Sequence, residues 1–166
     1  MKNIKLIISI CILVFAMSCK DDAYVAPDSL SDVAWYLSLP YNATGNYSFA
    51  AGKSVSFMDA SVNELSHEWT LEDSTMHFLN KGFNTTDTLT KFINPNIGLI
   101  SKDKTVFVLF TKIGVNKVRL HDTFSESVTY RGTKRLKAVQ DVNNPNVWVI
   151  DTTFVFNVIE PVVSTP

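Results

Sequence analysis

Apolar side chains recur at every second position in short runs along most of this chain. In residues 53–58, for example, Val55 and Phe57 point to one side while Ser54, Ser56 and Met58 point to the other. A period of two is typical of a half-buried β-strand, and no segment shows a sustained 3.6-residue apolar stripe. The segments that predict strands are residues 33–39, 53–58, 65–71, 74–79, 105–110, 117–124, 128–131, 134–139 and 147–159.

Several short strands separated by turn residues favour an all-β fold made of two packed antiparallel sheets. A single sheet of this composition would leave one apolar face in water. Trp69 is predicted to lie between the sheets, because Leu65, His67 and Leu71 share its phase in residues 65–71. The long stretch 80–103 carries large apolar side chains, so we expect it to pack back onto the sheets; among them are Phe83, Phe92, Ile93, Ile97, Leu99 and Ile100.

The first residues have the order of an export signal. Lys2 and Lys5 precede an apolar run of 12 residues, 6–17, which is shorter than the roughly 20 residues a helix needs to cross a bilayer. Ser18 and Cys19 follow, and this step resembles the lipobox of bacterial lipoproteins, with Ala16 where a leucine is usual. The resemblance implies cleavage before Cys19 and a membrane partner reached through acyl chains on that cysteine. The alternative is a plain secretory signal.

The three residues after the cysteine are informative about location. Lys20, Asp21 and Asp22 are similar to the short signal that directs Bacteroidetes lipoproteins to the outer face of the outer membrane. That similarity implies a protein anchored in the bacterial outer membrane and facing the cell exterior. An ordinary solvated linker is the other interpretation of the same three residues.

Cysteine content and charge exclude several classes of site and partner. The only cysteines are Cys11 and Cys19, so no disulfide, cysteine-type zinc site or cysteine nucleophile is expected in the folded domain. Without Lys2 and Lys5, 13 basic residues stand against 16 acidic ones, a formal charge of −3, which does not indicate a nucleic-acid partner.

The expected organisation is a signal peptide (1–18), a tether (19–30), one β-sandwich domain (31–160) and a C-terminal tail (161–166) with linker composition.

The strand sequences carry a second resemblance. Residues 52–61, GKSVSFMDAS, followed by 66–73, SHEWTLED, resemble the opening of a PKD domain, in which an Asp-x-Ser turn precedes a buried tryptophan. Residues 110–120 are similar to the glycine turn and paired strand that end such domains, although Glu72, Asp73 and Ser74 stand where the family has a Gly-Asp-Gly turn. The resemblance implies an immunoglobulin-like sandwich that serves as a cell-surface binding or spacer module, often associated with glycan acquisition.

Two hypotheses about function follow from the aromatic residues. A binding module for glycan or another extracellular macromolecule needs exposed rings, and the candidates for ligand stacking are Trp35, Tyr36, Tyr41 and Trp148. Because Trp35 and Tyr36 are neighbours in a predicted strand, one of them should be exposed. A structural or spacer module, by contrast, predicts that every tryptophan is buried.

No motif points to catalysis or to a cofactor. His67, His77 and His121 lie in separate strands without the short spacing of a zinc site, so no metal is expected. Four carboxylates could supply the oxygen ligands of a calcium ion, and these are Asp59, Glu64, Glu72 and Asp73. They are explained better as solvated turn residues. Neither a nucleophile motif nor a phosphate-binding glycine loop is present, and we expect a non-enzymatic protein.

Overall fold

The computed structural model describes residues 30–38, 47–84, 86–132 and 135–161. These residues form twelve strands and a single 3-10 helix, Leu89–Phe92. The longer strands are β3 (Ser54–Asp59), β4 (Glu64–Leu71), β7 (Thr105–Phe110), β8 (Gly114–Phe124) and β12 (Trp148–Ile159). The shorter ones are β1 (Trp35–Leu37), β2 (Tyr47–Ala50), β5 (Met76–Phe78), β6 (Ile100–Ser101), β9 (Thr129–Tyr130), β10 (Leu136–Lys137) and β11 (Val139–Gln140).

The strands form two larger sheets and a small hairpin. The first sheet has the order β1-β3-β7-β5, and the second has the order β11-β12-β8-β4-β6. All of these pairs are antiparallel, as predicted, and β9 pairs with β10 to form the separate hairpin. The exception is β2, a strand that was not predicted from the sequence, which pairs with β12 in parallel.

The two larger sheets share one hydrophobic core. Phe57 from the first sheet meets Trp69 and Phe156 from the second, with ring centroids 5.3 and 5.6 Å apart, and all three side chains are fully buried. The alternation along each strand explains this core, because every second residue of β3, β4, β8 and the last part of β12 faces the opposite sheet. The prediction that Trp69 lies between the sheets is therefore confirmed.

A second, smaller cluster extends the core beside the β9–β10 hairpin. Its buried members are Val33, Phe124, Val128, Ala138 and Ile150. Four half-buried side chains pack against it, and these are Trp35, Tyr130, Leu136 and Trp148. The hairpin is thus held by apolar contacts with both larger sheets, since Trp35 belongs to β1 and Trp148 to β12.

The stretch between β5 and β7 packs back onto the first sheet, as expected. The amide of Asn80 donates to the carbonyl of Phe92 at 2.7 Å, and Leu79 and Ile93 form an isolated bridge. Phe83 contacts Phe107 edge to face with centroids 5.3 Å apart, which covers the outer side of β7. The stretch also contains β6, a strand that was not predicted from the sequence.

One predicted side-chain direction is wrong. Leu65 was expected to share the inward face of Trp69, but it is 58% exposed. The register between β4 and β8 shifts between Glu64 and Ser66, so Leu65 is the extra residue of a β-bulge. A bulge interrupts the strict alternation and turns the side chains before it the other way.

Among the described residues, no helix is long and apolar enough to cross a membrane.

We expect the Phe57→Ala variant to lose about 3–5 kcal/mol in free energy of unfolding, because it leaves a cavity between the two sheets. The matched control is Met58→Ala. Met58 is the next residue of β3, is 40% exposed, and should change the free energy of unfolding by less than about 1 kcal/mol. Denaturant unfolding of the full chain measures both values. Equal losses in the two variants would contradict the assignment of the inner face.

Candidate functional site

Trp35 and Tyr36 occupy opposite faces of β1. Trp35 is half-buried, stacks on Tyr130 with ring centroids 3.6 Å apart, and meets Phe154 edge to face at 5.9 Å. Tyr36 points away from these rings and is 60% exposed. The expectation that one of the two neighbours is exposed is met by Tyr36.

An open groove of about 330 Å³ runs between β1 and the β9–β10 hairpin. Tyr36 and Tyr130 supply aromatic surface to it, while Asp32 and Arg131 supply charged groups of opposite sign. Asp32 Oδ1 accepts a hydrogen bond from the amide of Val33 at 2.9 Å, which orients that carboxylate. We call this the β1–β9 groove.

Trp148, another predicted stacking residue, does not line this groove. Trp148 is half-buried and packs against the second hydrophobic cluster. Tyr41 lies outside the described residues, as do Cys19, Lys20, Asp21 and Asp22. Tyr130 was not singled out from the sequence, since nothing in the short run 128–131 indicates that it meets Trp35 almost a hundred residues earlier.

A buried charged cluster lies at another place, where the two sheets meet. Asp59 ends β3 in the first sheet, while His67 and Asp122 lie on β4 and β8 in the second. His67 Nδ1 is 3.1 Å from Asp59 Oδ2 and 3.4 Å from Asp122 Oδ1. The three residues are 7% exposed or less, so the cluster joins the sheets through charged contacts inside the protein.

Neighbouring groups satisfy the remaining atoms of this cluster. His67 Nε2 lies 3.0 Å from the carbonyl of Asp103, and the Lys104 ammonium donates to Asp59 Oδ2 at 2.9 Å. The Ser61 amide donates to Asp59 Oδ1 at 2.9 Å, and the Ser61 hydroxyl donates to Asp122 Oδ2 at 3.3 Å. Every oxygen of the two carboxylates therefore has a donor, as buried charges require.

The protonation of the cluster follows from these contacts. Burial alone would lower the pKa of His67, but hydrogen bonds to Asp122, Asp59 and the Asp103 carbonyl outweigh it and raise the pKa to about 9. Burial works against the charge of Asp59 too, yet donors on His67, Ser61 and Lys104 hold its pKa well below the usual range. Burial raises the pKa of Asp122, and the contact with His67 only partly offsets this effect. At neutral pH the imidazolium is the central cation.

This arrangement is suited to holding the sheets together rather than to acting on a substrate. The side chains of His67, Asp59 and Asp122 are 5%, 0% and 0% exposed, which leaves no surface for a reacting molecule. Their potential ligand atoms lie within 4.8 Å of one another, a spacing that a metal ion could bridge. Lys104 and protonated His67 already place two positive charges at the carboxylates.

The prediction that Asp59 is a solvated turn residue is wrong. Asp59 is the last residue of β3 and shares the inward phase of Val55 and Phe57, so it is 3% exposed. Glu64 forms an ion pair with Lys104 beside it. Glu72 and Asp73 pair with other cations, Lys117 and Lys112, and do not join the cluster.

Comparison with known proteins adds no family assignment. No protein-family model matches this chain, and no curated protein matches its sequence.

The cluster predicts how stability depends on pH. His67 has a pKa of about 9 in the folded chain against 6.5 ordinarily, so its contribution is complete below about pH 6.5 and is lost as pH rises through 9. The raised pKa of Asp122 has the same sign, but its effect begins at more acidic pH, above its ordinary pKa of 3.8. We therefore expect the Tm of the full chain to fall by several degrees between about pH 6.5 and 9.5.

The His67→Gln variant should be less stable at pH 6 and should lose most of this pH dependence, whereas His77→Gln, on the outward side of β5, should keep it. A wild-type Tm that stays constant over this range would contradict the assignment, even if His67→Gln fails to fold.

The same melting curves, recorded with EDTA or with added Zn²⁺, test whether a metal ion binds at the cluster. We expect no change, and a Zn²⁺-dependent rise in wild-type Tm would show that a metal ion replaces the proton.

Proposed function

We propose that this chain is a non-enzymatic, lipid-anchored bacterial surface protein whose immunoglobulin-like, PKD-like domain binds glycan at the β1–β9 groove. The observation that carries the binding proposal is the exposed ring of Tyr36, 60% accessible, in a groove that Tyr130 and Arg131 also line. The flat face of a tyrosine can cover the C–H face of a sugar ring while nearby charged groups contact its hydroxyls.

Strand order supports the immunoglobulin-like part of the proposal. Taken in chain order, β1, β3, β4, β5, β7, β8 and β12 correspond to strands A to G of an immunoglobulin constant-type domain. The first sheet then has the order A-B-E-D and the second contains C-F-G, which is the arrangement of that fold. Trp69 lies on the strand equivalent to C, where immunoglobulin domains carry their buried tryptophan.

The Asp-x-Ser motif supports the PKD-like part. The amide of Ser61 donates to the carboxylate of Asp59 two residues earlier, so the aspartate closes the turn after β3. The turn after β4 uses Asp73, whose carboxylate accepts from the Thr75 amide at 2.8 Å. A different turn at this place is consistent with the absence of the family's two glycines from residues 72–74.

The proposed anchoring rests on the N-terminal sequence. A signal that ends at Cys19 would leave an acylated cysteine 11 residues before Leu30, where the described part of the chain begins. Each buried CH₂ of an acyl chain contributes roughly 0.8 kcal/mol to membrane binding, so two or more chains hold a protein stably at the surface. The motif of Lys20, Asp21 and Asp22 supports display on the outer face.

A spacer module is the second candidate function. Trp69 is fully buried, and both Trp35 and Trp148 pack against apolar clusters, so no tryptophan is presented to solvent as an isolated platform. In that case the domain would only project or support other surface components.

Glycan binding is tested with the full-length protein in nonionic detergent on a glycan array, followed by titration of the strongest ligand. We expect Tyr36→Ala to weaken binding roughly tenfold, because stacking of one ring is worth about 1.4 kcal/mol. Tyr36→Phe should retain most of the affinity, since the ring remains. The control Leu65→Ala removes an exposed apolar side chain outside the groove and should bind like the wild type. Absence of any bound glycan would favour the spacer function.

Anchoring is tested by cell fractionation. Cys19→Ala should release the protein from the membrane fraction and abolish incorporation of labelled palmitate, because the acyl attachment atom is removed. Cys11→Ala is the matched control, since Cys11 lies within the predicted signal peptide and its loss should change neither result. Membrane association of Cys19→Ala equal to that of the wild type would overturn the anchoring proposal.

A further inference from the structure

The β9–β10 hairpin is the most basic segment of the domain. Residues 128–140 contain four basic residues and no acidic one, although the chain after the predicted signal is acidic overall. Three of the four, Arg131, Arg135 and Lys137, belong to the described residues, and all three are exposed.

The register of the hairpin determines which way these side chains point. Tyr130 pairs with Leu136, and both are half-buried against the second hydrophobic cluster. The next pair, Thr129 and Lys137, therefore projects from the opposite, outer face. Arg131 and Arg135 follow Tyr130 and precede Leu136 in the chain, and both are exposed. Arg131 also lines the β1–β9 groove beside Tyr36.

These three cations are not neutralised by ion pairs within the described ranges. By contrast, Lys104, Lys112, Lys117 and Arg119 each pair with a carboxylate of the domain. The carboxylates nearest in sequence to the hairpin have other contacts: Glu126 accepts from the Ser31 amide, and Asp141 accepts from the amides of Asn143 and Asn144. Asp32 also lines the groove, on the β1 side, and the hydrogen bond from the Val33 amide orients its carboxylate but leaves its negative charge in place. The outer face of the hairpin thus has positive charge available to a ligand.

We propose that the ligand of the β1–β9 groove is an acidic polysaccharide, with one sugar ring stacked on Tyr36 and its carboxylate or sulfate groups bound by Arg131, Arg135 and Lys137. This inference rests on the proposed glycan-binding function and specifies its ligand class. A guanidinium can donate two parallel hydrogen bonds to a carboxylate or sulfate, and Arg131 lines the same groove as Tyr36 and Tyr130. A neutral glycan would use the ring but leave these cations without partners.

The test compares polymers of different charge with the full-length protein in nonionic detergent. The probes are fluorescently labelled polygalacturonate, which carries carboxylates, chondroitin sulfate, which adds sulfates, neutral dextran, and a single-stranded DNA. We expect one or both acidic glycans to bind more tightly than dextran and DNA, and their affinity to fall between about 0.05 and 0.5 M salt. The better of the two polymers identifies the acidic group.

Two triple variants separate a local site from general attraction. The variant R131A/R135A/K137A should weaken binding of the acidic glycan about tenfold, since each exposed charge contributes modestly. The variant K53A/K81A/K91A removes the same charge from exposed lysines outside the hairpin and should bind like the wild type. Far-ultraviolet circular dichroism and Tm establish that both variants fold.

Distinct results overturn the inference or the function beneath it. Equal losses in the two triple variants, or DNA binding as tight as that of the acidic glycans, would mean unspecific attraction of polyanions and would overturn the inference. Dextran binding that is as tight and that depends on Tyr36 would also overturn it, while the proposed glycan-binding function would stand. If no glycan of either charge binds, the proposed function itself fails.

Discussion

The packing of Phe57, Trp69 and Phe156 between two sheets is the contact on which the rest of the domain depends. These rings come from strands far apart in sequence, and the sheets meet only when β3, β4 and β12 all present their inward faces. The described strands contain no cysteine, so burial of apolar surface supplies the cohesion that disulfides provide in many secreted sandwiches. The main constraint on the fold is therefore which residues of each strand face inward.

The buried charged cluster makes that alternation more specific. A shift of β4 by one residue would turn His67 and Trp69 to the outside and leave Asp59 and Asp122 buried without their shared cation. Losing one partner of a buried ionic group destabilises a protein by about 3–5 kcal/mol, far more than the loss of an exposed pair. The bulge at Leu65 precedes His67 on the same strand and separates the exposed start of β4 from its regularly alternating part. Apolar packing and the polar cluster thus favour the same register.

The alternation made much of the fold predictable, and residues 53–58, 65–71, 105–110, 117–124 and 147–159 all fall within or close to observed strands. The errors have local causes. Tyr47–Ala50 was missed because a short strand paired in parallel with β12 has too few residues to display a period. The buried cluster was missed because its charged members are separated by up to 63 positions and none has ligand spacing. Asp122 nevertheless shares the phase of Val118 and Leu120, which was a usable sign of burial.

The groove illustrates how one short strand can serve both packing and recognition. Trp35 contributes its ring to the apolar contacts that hold the hairpin, and its neighbour Tyr36 is exposed because successive residues of a strand face opposite ways. The hairpin repeats this division: Tyr130 and Leu136 face the protein, while the basic side chains face water. The same contacts that stabilise β1 against the hairpin therefore hold Tyr36 and Arg131 at one groove. A ligand that uses both would meet a surface already ordered by the second hydrophobic cluster, which reduces the entropy lost on binding.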